Sequence, residues 1–213
     1  MAEMLGAVLL AAGAGRRLGH MPKPLLELDG VPLIRVQLAA LLAAGVAEVV
    51  VVIGHYAAEI EAQLQGLPVK RVRNPNPDAG QSTSVQIGLQ HLRPDVDAVI
   101  VALADQPLVT AADIHALIHA FNQRASVASM VVPRVADTPG NPVMFDAALR
   151  DEWLRGDSSA LGRGWREANP QRVQFFDTDN AHFCVDIDTP ADINAFNAQT
   201  GRTLRWPEAS LSL

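Results

Sequence analysis

The stretch "VLLAAGAGRRLGHMPKPLL", Val8 to Leu26, decides how the chain is read. An apolar run meets a glycine pair, then two arginines, then a lysine flanked by prolines, and no acidic residue stands between Met4 and Leu26. Gly6 to Ala12 is continuously apolar, the pattern of a strand buried on both faces. In Gly13-Ala14-Gly15 no bulky side chain keeps backbone N–H groups from turning toward an anion. Arg16, Arg17 and Lys23 add positive charge. A tight turn with solvated cations would account for a glycine pair. It does not account for an acid-free cationic window in a chain of net charge -6. Pro22 and Pro24 restrict the backbone around Lys23, which points to a preorganised lysine. The loop reads as a phosphate site, but not a familiar one. A dinucleotide fingerprint needs its third glycine one position before Gly19, and an acid where the second strand ends at Gly54-His55. A P-loop lysine is followed by Ser or Thr, and Lys23 is followed by Pro24.

Outward from this loop the chain alternates strand and helix. Pro32 to Ala44 reads as a helix stopped by Gly45, Glu48 to Ile53 as a second buried strand, and Ala57 to Gln65 as a helix. Val69 to Val72 is a short strand, Ser82 to Leu92 a helix, Asp97 to Ala104 another buried strand, and Val127 to Val132 one more. Thr110 with Asp113, and Thr189 with Asp192, are capping-box variants that open helices. The alternation predicts a mainly parallel sheet with helices on both faces. It reads as a single domain over residues 1–200. Residues 201–213 form a tail whose weak pattern from Thr203 fits a loose end or one that pairs with a second subunit.

Composition narrows the function classes. The chain has 213 residues, enough for one domain with a substantial core. Hydrophobic content is 49%, yet no apolar run reaches the length of a membrane helix, and Met1 to Leu10 lacks the basic start of a secretory signal. A single cysteine, Cys184, excludes an internal disulfide and fits a reducing cytoplasm. The acidic balance argues against nucleic acid as a partner.

In such sheets ligands bind beyond the carboxyl ends of the strands. Three further segments carry unusual chemistry. "NPDAGQSTSVQIGL", Asn74 to Leu89, opens a helix with Gln81, Ser82, Thr83 and Ser84. One hydroxyl would cap it, and the surplus suits a ribose or a base edge. In "ALADQPLV", Ala102 to Val109, Asp105 ends an apolar strand, while Thr110 supplies the next helix cap. A carboxylate there would repel phosphate unless a cation such as magnesium lay between them. In "CVDIDTPADI", Cys184 to Ile193, Asp186 and Asp188 alternate along an extended segment and share a side. A helix cap would explain Asp188 but not Asp186. His115 and His119 are four apart on one helix but lack the glutamate of a zinc-protease motif, Trp153 and Trp165 read as packing residues, and His55 alone gives no mechanism.

The combination L-x-A-G-x-G-x-R-x-G with a following P-K, then G-Q-S-x-S, A-D-Q-P and D-x-D-T-P, resembles the molybdenum cofactor nucleotidyltransferase family, to about Phe196. The resemblance implies an α/β, Rossmann-like three-layer sandwich with a mainly parallel sheet, mixed in its later strands. It implies magnesium-dependent transfer of a nucleoside monophosphate from an NTP to a phosphorylated acceptor, with loss of pyrophosphate. Under it Ala11, Ala12 and Gly13 lie against the base, and Gly15 and Arg16 border the triphosphate. Arg17 and Lys23 neutralise phosphate charge, and Gln81, Ser82 and Ser84 contact base or ribose. Asp105, Asp188 and Asp186 hold magnesium. Guanylyl-transferring relatives carry L-A-G-G and C-D-x-P where this chain has Leu10-Ala11-Ala12-Gly13 and Ala104-Asp105-Gln106-Pro107, which favours CTP and CMP transfer.

Two segments depart from the family pattern. Gly140-Asn141-Pro142-Val143 stands for G-H-P-V, and Gly156-Asp157-Ser158-Ser159-Ala160-Leu161 for G-D-x-G-A-R. Both belong to the acceptor half, so the nucleotide half fits the family and the acceptor half is altered; the resemblance implies molybdopterin as the leading acceptor and a molybdoenzyme or cofactor-insertion protein as partner. A sugar-phosphate or guanylyl transferase, and a non-catalytic NTP- or cofactor-binding chaperone, stay open as alternatives.

Overall fold

β1 (Leu5–Ala11) is the centre of the molecule, with all seven residues buried. The computed structural model describes residues 3–156 and 161–208. After β1 come the short β2 (Glu27–Leu28) and β3 (Val31–Pro32), then α1 (Leu33–Ala43), β4 (Glu48–Ile53), α2 (Ala57–Gln63) and β5 (Lys70–Arg73). α3 (Gln81–His91), β6 (Ala98–Leu103) and α4 (Ala111–Asn122) complete the first half. The second half holds β7 (Met130–Val135), β8 (Thr138–Pro139), β9 (Val143–Asp146), α5 (Ala147–Arg155), α6 (Arg163–Ala168), β10 (Val173–Asp177), α7 (Pro190–Thr200) and β11 (Leu204–Arg205).

The main sheet runs β10-β7-β9-β6-β1-β4-β5, with β8 paired to β7. β6, β1, β4 and β5 are parallel, as are β10 and β7, while β9 runs antiparallel between β6 and β7. The expected α/β sandwich with a mainly parallel, mixed sheet is therefore present. The period-two pleat explains its layers. Ala7, Leu9 and Ala11 of β1 join one core with α1 and α4, whereas Val8 and Leu10 join the opposite core with α3 and α5. In the middle of the sheet Val8 lies between Val50 and Val101. No helix among the described residues is long and apolar enough to cross a membrane.

Boundaries moved where tertiary pairing overrode local pattern. β7 begins at Met130 rather than Val127, because Val127 is exposed and Ala128 N–H closes a turn onto the Ala125 carbonyl. α1 begins at Leu33, since Pro32 is drawn into the antiparallel pair β2–β3. Within the described part of the tail, residues 202–205 are tied to the rest of the chain. β11 pairs with β2, Leu204 exchanges two hydrogen bonds with the Asn197 side chain, and Asp29 accepts from Arg202 and Thr203. Leu204 is buried in a third, small core with Leu18, Leu26, Leu28, Leu33, Ile187 and Phe196. Burying a leucine is worth about 1.5–3 kcal/mol. That cluster fastens the cationic loop and the segment before α7 to one another.

Candidate active site

The carboxyl ends of β1 and β6 lie side by side, and the loops after them build the site. Gly15 has φ +58°, and a Cβ there would sit 1.9 Å from the Met21 carbonyl oxygen, so only glycine closes this turn. Its own carbonyl accepts from the N–H groups of Leu18 (2.9 Å) and His20 (3.0 Å). The Tyr56 hydroxyl lies against the carbonyls of Ala14, at 3.2 Å, and His20, bracketing the loop from the end of β4. Tyr56 itself is left-handed, with φ 57°. Its only sequence signal was an aromatic residue just beyond a strand's carboxyl end.

Lys23 opens a single helical turn, and its ammonium reaches Asp105 Oδ2 at 3.3 Å and Asp188 Oδ1. Arg17 Nη2 contacts the other oxygen of Asp188, Oδ2, at 2.6 Å. Residues 17, 23, 105 and 188, far apart in sequence, thus form one cluster. Asp188 is free for it because Asp192 and Thr189 do the capping of α7. Both backbone N–H groups of Asp188 and Thr189 donate to Asp192 Oδ2. The Asp105 loop is tied to the same segment by Ile187 N–H onto the Asp105 carbonyl and by the Gln106 carboxamide onto the Phe183 carbonyl. Gln106 is buried, and sequence reading passed over it as part of a turn.

Burial pushes the Asp105 carboxyl above the usual carboxylate range; Lys23 pulls it down and the charge of Asp186 adds to the rise. Burial would lower the Lys23 ammonium, but the hydrogen bond from it to Asp188 and the charges of both aspartates outweigh this and hold its pKa above the ordinary lysine value. Asp105 Oδ1 is buried with no hydrogen-bond partner among the described residues. A desolvated, unsatisfied hard oxygen beside a second carboxylate suits a divalent cation, which Asp105 and Asp188 could hold. Asp186 joins no hydrogen bond or ion pair with them, and no group of three or more acidic, His or Cys side chains converges among the described residues.

Two adjoining cavities share Leu10, Gly13, Pro77 and Asp105. The larger, about 360 Å³, is walled by Ala11, Gly15, Arg16, Arg17 and Lys23. The smaller, about 190 Å³, is walled by Ala12, Gln81 and Ser84. Ser82 lines neither. None of the hydroxyls caps α3, whose N-cap is Gly80. Instead the buried Asn74 amide donates to Thr83 Oγ1 and Ser84 Oγ, both at 2.9 Å, fixing the first turn of α3. Arg16 turns outward to Asp78 (2.8 Å), which His55 also approaches, so at the cavity rim one exposed carboxylate faces two basic groups. Of the two departing segments, Gly140 and Asn141 meet the Phe183 carbonyl, whereas residues 157–160 lie outside the described residues.

Residues 7–173 match the model of the MobA-like NTP transferase domain. The chain is 32% identical over 191 residues to nicotine blue oxidoreductase of Paenarthrobacter nicotinovorans, covering 85% of this chain and 91% of that one. It is 32% identical over 177 residues to the bifunctional protein GlmU of Sorangium cellulosum, but there 78% of this chain spans only 37% of the relative. Among solved structures, a nucleotidyl transferase from Methanothermobacter thermautotroptrophicus superposes with a TM-score of 0.73 at 28% identity, covering 92% of this chain and 96% of that one. Fold, matched span and the loops at the sheet's carboxyl edge agree with the family inferred from the motifs, and the chain belongs to the MobA-like NTP transferases, as a nucleotidyltransferase.

Proposed function

We propose that this enzyme transfers CMP from CTP to a phosphorylated small-molecule acceptor, of which molybdopterin is the first candidate, using magnesium and releasing pyrophosphate. The observation that carries the reading is the cluster in which Arg17, Lys23 and Asp105, all on the wall of the glycine-loop cavity, meet Asp188 behind them through Arg17 and Lys23. An acceptor phosphate oxygen attacks the α-phosphorus, the bond to the β-phosphate oxygen breaks, and pyrophosphate departs with its electron pair. Both reactants are anions, so the barrier is chiefly electrostatic. Arg17 and Lys23 stabilise the charge that builds on the leaving group, and the Gly13–Gly15 backbone lies close enough to receive phosphate oxygens. The acceptor phosphate is already deprotonated and needs no general base. Held by Asp105 and Asp188, with Asp186 nearby, magnesium would supply charge neutralisation between carboxylates and phosphates. The smaller cavity, lined by Ala12, Gln81 and Ser84, would take base and ribose. Cytoplasmic residence, a molybdoenzyme or cofactor-insertion partner, and no nucleic-acid or membrane partner complete the proposal.

Pyrophosphate release is the test, measured with each of the four NTPs, with and without molybdopterin. Release with CTP that depends on the acceptor is expected, and CTP with magnesium should raise the Tm more than GTP does. Equal behaviour of all NTPs removes the base assignment. Oxidation of a reduced nicotinamide, followed in the same samples because of one relative's name, is expected to stay at background.

A further inference from the structure

Lys23 bridges the two carboxylates that the proposed reaction assigns to the metal, and it is also one of the two cations assigned to phosphate. It cannot do both at once. We propose that Lys23 is the resident cation of the metal-free site and is exchanged for the divalent ion when nucleotide arrives, so that metal and nucleotide bind as a coupled pair. This rests on the nucleotidyl-transfer reading of the site.

Charge arithmetic supports the exchange. Lys23 and Arg17 contribute two positive charges and Asp105 and Asp188 two negative ones, so the cluster is balanced as it stands. A divalent ion entering alone meets carboxylates already paired and two cations close by. A triphosphate entering alone finds both cations engaged. Entering together, the metal takes the carboxylates and the phosphates take the cations, so each of the four protein charges keeps an opposite charge beside it.

The fold permits this with a side-chain motion alone. The backbone at Lys23 is pinned by Pro22 and Pro24 and by hydrogen bonds from Leu25 N–H to the Pro22 carbonyl and Leu26 N–H to the Lys23 carbonyl. Pro24, Leu25 and Leu26 are buried beneath it. Lys23, Arg17, Asp105 and the glycine loop all wall the same cavity, so the ammonium passes from carboxylate to phosphate without leaving that wall. Asp105 Oδ1, unpartnered while Lys23 sits on Oδ2, is the ligand oxygen already waiting for a stronger cation.

The experiment is a Mn²⁺ titration followed by the electron paramagnetic resonance of free Mn²⁺, on the full chain, with and without the NTP that raises its Tm most, corrected for chelation by the nucleotide itself. The wild-type protein is expected to bind Mn²⁺ at least tenfold more tightly with nucleotide than without. Lys23→Met should bind Mn²⁺ alone at least tenfold more tightly than wild type, with nucleotide adding little further. Lys23→Arg keeps a competing charge and should stay weak like wild type, which guards against a folding artefact in the methionine variant. Lys23→Met binding Mn²⁺ no more tightly than wild type overturns the exchange, as does an equal gain in Lys23→Arg. The transferase reading fails separately, by an absence of pyrophosphate release with every NTP, and that result leaves the binding comparison standing.

Discussion

The two halves of the sheet are built on different rules. In the first half β1, β4, β5 and β6 run parallel, so their carboxyl ends open on one edge and every loop that leaves them is a candidate for chemistry. In the second half β9 reverses between β6 and β7, and the elements that follow are held by aromatic packing. Phe145 meets Trp153 at a tilt with centroids 4.7 Å apart, Trp153 meets Trp165 edge-on at 5.8 Å, and Arg172 lies over the Trp165 ring at 4.9 Å. The first half gathers a balanced cluster of charge at its edge, completed by Asp188 from the second half; the second fills its interior with rings. Function and stability are therefore expected to separate between them.

The largest expected effect lies in the second half. Trp153→Ala removes a ring buried against Phe145 and Trp165 and should cost about 3–5 kcal/mol in chemical denaturation. Nucleotide affinity of the folded fraction should be unchanged; a matching loss of affinity would mean that the halves are not separable.

Asp105→Asn makes the opposite case. It should lower transfer by a factor of about 10² to 10³, or more, as for loss of a key electrostatic group. The Tm should move little, because neutralisation also relieves the burial that raises this carboxyl. Asp188→Asn should act similarly and Asp186→Asn more mildly. Full turnover in Asp105→Asn would move the active centre elsewhere.

Gly140→Ala probes the seam between the halves. A Cβ there would lie 2.4 Å from the Phe183 carbonyl oxygen, the same atom that Gln106 and Asn141 donate to. We expect about 1–3 kcal/mol of destabilisation together with a weakened acceptor KM, whereas stability loss alone would assign Gly140 to packing.

The smallest effect concerns Asp113 and pH. Burial works to raise this carboxyl, but hydrogen bonds from His182, Thr110 and Asn180 outweigh it and hold it below the usual carboxylate range. With its folded value below an unfolded value of about 4, its stabilisation is complete above that pH and is lost as pH falls through the folded value. Asp113→Asn should cost about 1 kcal/mol at neutral pH and flatten the acid side of the stability profile. An unaltered acid limb would detach Asp113 from it.

What could be read in the sequence was whatever physics acts locally. Continuous apolar runs gave β1, β4 and β6, because a strand covered on both faces needs nothing polar. The boxes Thr110–Asp113 and Thr189–Asp192 close within four residues and formed as expected. The acid-free window marked the cationic loop, and the motif set marked the family. Tertiary structure decided the rest. It set the Asn74 amide under the α3 hydroxyls and bound Leu204 into the small core. Above all it placed Lys23 between Asp105 and Asp188, residues 82 and 165 positions away. Residue type and spacing specify which charges a loop carries. Which opposite charge each one meets depends on how distant strands align their ends, and only the folded sheet sets that.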